Sequence, residues 1–173
     1  MPDINATTTS VAVLIAELSP GVMALVGSLF FLIALGLAKS KDLLIRLLIA
    51  LYIAAFITAQ FPFYESIAAT LAVTDRTTLT LFLFGFSTAV ALLALRRYIG
   101  STYQHHVLWR TVEVVVLAFV IVGFTGAVFH HVVDGQMLMA LGPVTGHLFA
   151  PPLAYAAWLL APLLIFPLFI RPS

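Results

Sequence analysis

Five stretches of mainly apolar residues, each about 20 residues long, cover most of the chain. A helix of about 20 apolar residues is long enough to cross the hydrocarbon core of a bilayer. The stretches lie at about residues 20–38, 43–60, 78–95, 111–130 and 151–170. They predict an all-α integral membrane protein in which five transmembrane helices form a bundle.

The low charge of the chain agrees with this class. Charged residues make up only 9% of the sequence and hydrophobic residues 62%, whereas ordinary soluble domains carry about 25% charged residues. A chain with this few charged residues cannot cover a water-facing globule. Most of its surface must therefore face lipid. The loops are short, and we predict one membrane domain over residues 1–173.

A further apolar segment, Val11–Glu17, precedes the first predicted span. It is too short to cross a bilayer, and we predict a short interfacial helix or a helical lead-in to the first span. The first ten residues lack the positive charge with which a signal peptide begins, so we expect the first span to be retained.

The basic residues divide unequally between the two sides that five spans would define. Seven lie at span ends that would face one side of the membrane. Only one, Arg76, lies at an end that would face the other side. Because cytoplasmic loops carry an excess of lysine and arginine, this bias predicts the N-terminus outside and the C-terminus inside. The seven are Lys39, Lys41, Arg46, Arg96, Arg97, Arg110 and Arg171.

Several predicted spans contain small residues four positions apart, such as Gly85 with Ala89 and Gly123 with Ala127. Small residues let membrane helices approach closely, where lipid supplies little hydrophobic force between them. These pairs indicate either packing inside the bundle or an interface between copies of the chain.

Glu113 is the only acidic residue inside a predicted span. It follows Arg110 by three positions, a spacing that places both side chains on one helix face. We therefore predict an ion pair between Arg110 and Glu113 near the cytoplasmic boundary. The alternative is a proton relay, for which the sequence offers no second carboxylate inside a span.

Histidines and an aspartate gather near the outer end of the fourth span. His130 and His131 are adjacent on a helix, so their side chains point about 100° apart and do not easily share one ion. A metal site would use His131, Asp134 and His147, whose imidazole and carboxylate groups suit zinc. The alternative is that interfacial water satisfies these side chains without a ligand.

A cationic surface is expected in the loop after the third span, where His105 and His106 lie among Arg96, Arg97 and Arg110. We expect this surface to contact anionic lipid headgroups at the cytoplasmic face. The net charge of the whole chain is only +1, so nothing indicates a nucleic-acid partner.

Enzyme signatures are missing from the sequence. It contains no GxSxG, no HExxH and no glycine-rich phosphate loop. Cysteine is also absent, which excludes disulfides, thiolate metal ligands and thiol nucleophiles. We predict that the protein is not an enzyme and holds no cofactor.

The first hairpin, VGSLFFLIALGLAKSKDLLIRLLIALYIAAFITAQF, resembles the opening of the colicin V production protein family. Members have a glycine-rich first helix, a tight cytoplasmic turn with a basic residue, and a second helix rich in leucine and alanine. Gly36, Lys39 and Lys41 occupy that turn, and Ser40 replaces the family's second glycine. The C-terminal FAPPLAYAAWLLAPLLIFPLF resembles small uncharacterised multi-pass membrane proteins of reduced-genome bacteria.

The resemblance implies a role in envelope maintenance or in secretion of small proteins, without an active site. It covers only residues 26–61, and the chain departs from the family by its outer N-terminal segment and its fifth span. No residue role follows from it.

These patterns favour a scaffold or accessory subunit of envelope or export machinery in a bacterial cytoplasmic (inner) membrane. Its partners would be the lipid bilayer and either other membrane proteins or further copies of the chain. A small oligomeric transporter or channel subunit is one alternative, in which a fifth span bent at Pro162 and Pro167 lines a path. A metal- or haem-binding redox subunit is a second alternative, and it depends on the outer histidines.

Overall fold

The computed structural model describes residues 20–71, 76–97, 107–132, 143–149 and 151–169. Regular secondary structure within these ranges is entirely α-helical, which confirms the predicted all-α class. The predicted interfacial helix at Val11–Glu17 lies outside the described residues. The helices are α1 (Pro20–Ala38), α2 (Lys41–Gln60), α3 (Tyr64–Leu71), α4 (Arg76–Leu95), α5 (Val107–Val132), α6 (Pro143–Phe149) and α7 (Pro152–Phe169).

Four of these helices, α1, α2, α4 and α5, are long and apolar enough to cross a membrane, with mean hydropathies of 2.1 to 2.5. They correspond to the first four predicted spans. The fifth predicted span is the apolar helix α7, whose stretch Pro152–Ile165 is shorter than the other four. A membrane bundle with four candidate spans is therefore supported, and the fifth crossing stays a prediction.

Three of the long helices, α2, α4 and α5, begin before the apolar stretches from which they were predicted. α2 begins at Lys41 rather than residue 43, and α4 begins at Arg76 rather than residue 78. Long basic side chains can lie along apolar surface while their charged ends reach the interface. Hydropathy marks where such a side chain interrupts the apolar run, whereas the backbone of both helices is already helical two residues earlier.

Two short helices, α3 and α6, were not predicted. α6 begins at Pro143 and packs against α1, α5 and α7. Proline is common in turns and also in the first turn of a helix, because the N–H that it lacks would have no partner there. α3 packs against the start of the chain's next long helix, α4.

The centre of the bundle is α5, which packs against α1, α2 and α7. Of its most apolar stretch 56% is buried, compared with 17% for α1 and 11% for α4. α2 pairs extensively with α4 on its other side. The buried apolar side chains of α5 are Val114, Leu117, Ala118, Val120, Ile121, Phe124, Ala127 and Val128.

Glycines bring the helices around α5 into close contact. A Cβ added at Gly36 in α1 would lie 2.7 Å from atoms of both Leu44 and Val114. A Cβ added at Gly123 in α5 would overlap the ring of Trp158. The predicted packing role of the Gly123 face is thus confirmed, because α7 places its largest side chain on that glycine.

α7 is fixed to its neighbours by the polar ends of two aromatic side chains. The Trp158 indole N–H donates to the Leu148 carbonyl at 3.3 Å, and the Tyr52 hydroxyl donates to the Leu159 carbonyl. The Leu159 carbonyl lies three positions before Pro162, which is fully buried and removes one backbone donor from the helix.

Candidate functional site

The buried carboxylate of Glu113 has a different partner from the one predicted. Its Oε2 atom lies 2.8 Å from the Nζ atom of Lys41, at the start of α2. The two side chains are only 4% and 12% exposed, respectively. This geometry is that of a structural ion pair that fixes α2 against α5, and it corrects the predicted pair of Arg110 with Glu113.

Arg110 instead donates to the backbone carbonyl of Leu37, at 3.0 Å. The last carbonyls of a helix have no partner within it, and the helix dipole makes that end negative. An arginine side chain therefore caps the end of α1 favourably. The three-residue spacing that predicted the pair applies only to residues on the same helix, α5. The observed partner of Glu113 is 72 positions away in sequence.

The histidines at the end of α5 face different surroundings. His130 lines an apolar cavity of about 530 Å³ between α1 and α5, together with Thr125 and Thr145. The ring of His131 stacks on Tyr155 of α7, with centroids 3.8 Å apart and planes inclined by 20°. The expected divergence of two adjacent histidines is therefore observed.

The predicted metal site is only partly covered by the structure. His147 is exposed on α6, whereas Asp134 lies outside the described residues, as do His105 and His106 of the expected cationic loop. Within the described ranges, no three histidine, aspartate or glutamate side chains come together to hold a metal ion. A site that uses His131, Asp134 and His147 stays a prediction.

A polar cavity of about 590 Å³ lies where α2, α3, α4, α5 and α7 meet, and His131 is among the residues that line it. This cavity was not predicted from the sequence. Arg76, which lines it, is the basic residue that would face the opposite side of the membrane from the other seven. The residues that line it are Ala55, Thr58, Ala59, Tyr64, Arg76, Thr77, Thr80, Val128, His131, Val132 and Tyr155.

Polar groups in the wall of this cavity are arranged around Tyr64. The Arg76 guanidinium carbon lies 5.6 Å from the centre of the Tyr64 ring. The Tyr64 hydroxyl donates to the Thr58 carbonyl at 2.9 Å. The Thr58 hydroxyl itself is buried and has no hydrogen-bond partner among the described residues, which is uncommon for a buried polar atom.

The outward face of α4 contains a small-residue pair that the bundle does not use. A Cβ added at Gly85 would meet no atom of the described residues within 4 Å, and Ala89 is exposed as well. Phe82 and Phe86 on the same face are 66% and 58% exposed. This pair therefore differs from Gly123 and Ala127, both of which face neighbouring helices.

Comparison of the chain with protein-family models, with curated proteins and with solved structures gives no significant match. Functional inference therefore rests on the geometry of the ion pair, the two cavities and the outward face of α4.

Proposed function

We propose that the protein is a non-enzymatic scaffold or accessory subunit of a bacterial cytoplasmic membrane, in envelope or export machinery, and that it works as a pair of identical chains. The observation that supports this proposal is the outward face of α4, defined by Phe82, Gly85, Phe86, Ala89 and Leu93. These residues follow the spacing of one helix face.

Gly85 gives this face a groove. In a bilayer, helix association depends on close van der Waals packing, and a small residue every fourth position lets two backbones approach. Gly123 has the same spacing to Ala127, and Trp158 already covers it. The groove at Gly85 is uncovered, and exposed rings of Phe82 and Phe86 flank it.

A second copy of the chain fits this face because a two-fold helix pair places the same surface on both partners. Gly85 and Ala89 of one copy would lie against Gly85 and Ala89 of the other, so both sides of the contact would be small. The rings of Phe82 and Phe86 would fill the space beside the crossing point.

Single-cysteine crosslinking tests the pairing in membranes, because the natural chain has no cysteine. We expect Gly85→Cys to form a covalent dimer on mild oxidation. Gly27→Cys is the matched control, since Gly27 in α1 also has open space beside its Cα atom. Equal crosslinking of both variants, or none with Gly85→Cys, would contradict the proposed pairing.

A bulky substitution provides a second measurement. Gly85→Leu should abolish the dimer seen by energy transfer between labelled chains, because the leucine side chain fills the groove. Gly27→Leu should leave it intact. At both positions an added Cβ meets no atom of the described residues within 4 Å, so we expect little change in the thermal stability of the monomer in either variant.

A further inference from the structure

The polar cavity at the end of α5 combines one cation, an unpartnered hydroxyl and a partly apolar wall. We propose that this cavity binds an oxyanion, a phosphate or carboxylate group attached to an apolar body, with Arg76 as the cationic anchor. This role goes beyond pairing through α4 and does not depend on it.

The charge of Arg76 is not neutralised within the part of the chain that the structure describes. No carboxylate there lies within ion-pair distance of it, and its contact is with the face of Tyr64. A guanidinium held over a ring keeps its N–H donors for an oxygen acceptor. Phosphate and carboxylate match its planar fork of donors.

Topology does not account for this arginine. The other seven basic residues fall where the positive-inside rule expects them, whereas Arg76 falls on the opposite side. In the structure it lies beside the end of α5 that carries His131, and Arg110 lies near the other end. An arginine on the side of the membrane that holds none of the other basic residues indicates a role in binding.

Thr58 supplies an independent observation in the same wall. The residue is only 7% exposed, and its hydroxyl has no hydrogen-bond partner in the part of the chain that the structure describes. Its carbonyl accepts from Tyr64, so the ring that contacts Arg76 is also fixed to Thr58. An unpaired buried hydroxyl costs free energy, and rotation of the Thr58 side chain toward the cavity would let a ligand oxygen recover it.

The rest of the wall indicates the shape of the ligand. Ala55, Ala59 and Val128 form an apolar part, and the stacked rings of His131 and Tyr155 close one side. The volume of about 590 Å³ is in the usual range for small-molecule sites. An anion with a short apolar body would satisfy both parts, whereas a bare ion would leave the apolar part unfilled.

Titration of the full chain in dodecylmaltoside micelles tests the proposal, because this detergent has neither charge nor phosphate. The probes are hexyl phosphate, inorganic phosphate and phosphatidylglycerol, with binding measured by calorimetry. We expect saturable binding of hexyl phosphate and weaker binding of inorganic phosphate. Displacement of hexyl phosphate by phosphatidylglycerol would identify a lipid headgroup as the source of the anion, and its failure would identify a water-soluble one.

Two variants in the cavity wall and one control variant outside it test whether the ligand binds in the cavity. Arg76→Gln should weaken hexyl phosphate binding about tenfold or more, because a charge-assisted hydrogen bond is lost. Thr58→Val should also weaken it while leaving thermal stability unchanged or raised, because the hydroxyl is unpaired without ligand. Arg97→Gln removes an exposed arginine at the other end of α4 and should leave binding unchanged.

The proposal is overturned if hexyl phosphate and phosphatidylglycerol both fail to bind saturably. It is also overturned if Arg76→Gln binds as tightly as Arg97→Gln does. Circular dichroism of each variant establishes that a loss of binding does not arise from unfolding. Neither result bears on the α4 pairing, which crosslinking at Gly85 measures separately.

Discussion

The ion pair of Lys41 with Glu113 joins α2 to α5 through two buried charges. Burying one charge alone is costly, because desolvation is no longer offset by a partner. We expect Lys41→Met to lower the free energy of unfolding by about 2–3 kcal/mol, measured by denaturation in detergent micelles.

The matched control is Lys39→Met, which removes an exposed lysine two positions earlier and should change stability by less than about 0.5 kcal/mol. Adding Glu113→Gln to Lys41→Met should restore most of the loss, because no unpaired charge then remains. Equal losses for both lysine variants would show that charge at this turn matters and that the pair does not.

Gly123 is the second residue on which packing depends, because the Trp158 ring lies where its Cβ would be. We expect Gly123→Ala to destabilise the protein by about 1–3 kcal/mol, since the indole or the backbone must move. Gly27→Ala adds the same methyl group where there is open space and should cause no loss. Thermal unfolding of the two variants measures the difference.

At the scale of elements, the attachment of α7 depends on the hydroxyl of Tyr52 in α2. Its ring stacks on Phe124, with centroids 4.6 Å apart, and its hydroxyl donates to the Leu159 carbonyl. Tyr52→Phe keeps the stacking and removes a bond that contributes about 1 kcal/mol. We expect faster amide hydrogen exchange in α7, with α1 unchanged. A uniform increase in all helices would instead mean that Tyr52 stabilises the whole bundle.

Long helices and short helices differ in how far the sequence predicts them. The runs that became α1, α2, α4 and α5 are visible because lipid demands about 20 apolar residues in succession. α3 and α6 have 8 and 7 residues, too few for such a signal. α6 moreover begins at Pro143, a residue type that turns and helix starts share.

The polar contacts were less predictable than the helices, because they join residues far apart in sequence. Glu113 was correctly identified as an unusual residue, but its partner Lys41 belongs to another helix. Arg76 was correctly identified as the exception in the charge distribution, but nothing in the sequence placed Tyr64, Thr58 and Tyr155 beside it. Local spacing describes one helix face, whereas a cavity depends on the packing of several helices.

At the scale of the whole molecule, polar groups are concentrated at the two ends of α5. Lys41, Glu113 and Arg110 lie near its beginning, and Arg76, His131 and Tyr155 lie near its end. The positive-inside rule assigns the first group to the cytoplasm and the second to the outside. The ion pair would then face the cytoplasmic interface, and the polar cavity would open to the outside.

This orientation, and the crossing of α7, can be tested together with a reporter that is active only in the cytoplasm. We expect activity when it is fused after Arg97, none when it is fused after Gly142, and activity again at Ser173. Those results require α5 to cross outward and α7 to cross back. Activity after Arg97 with none at Ser173 would mean that α7 lies within or against the membrane and the bundle has four spans. Inactivity after Arg97 with activity after Gly142 would reverse the orientation, and the polar cavity would then face the cytoplasm.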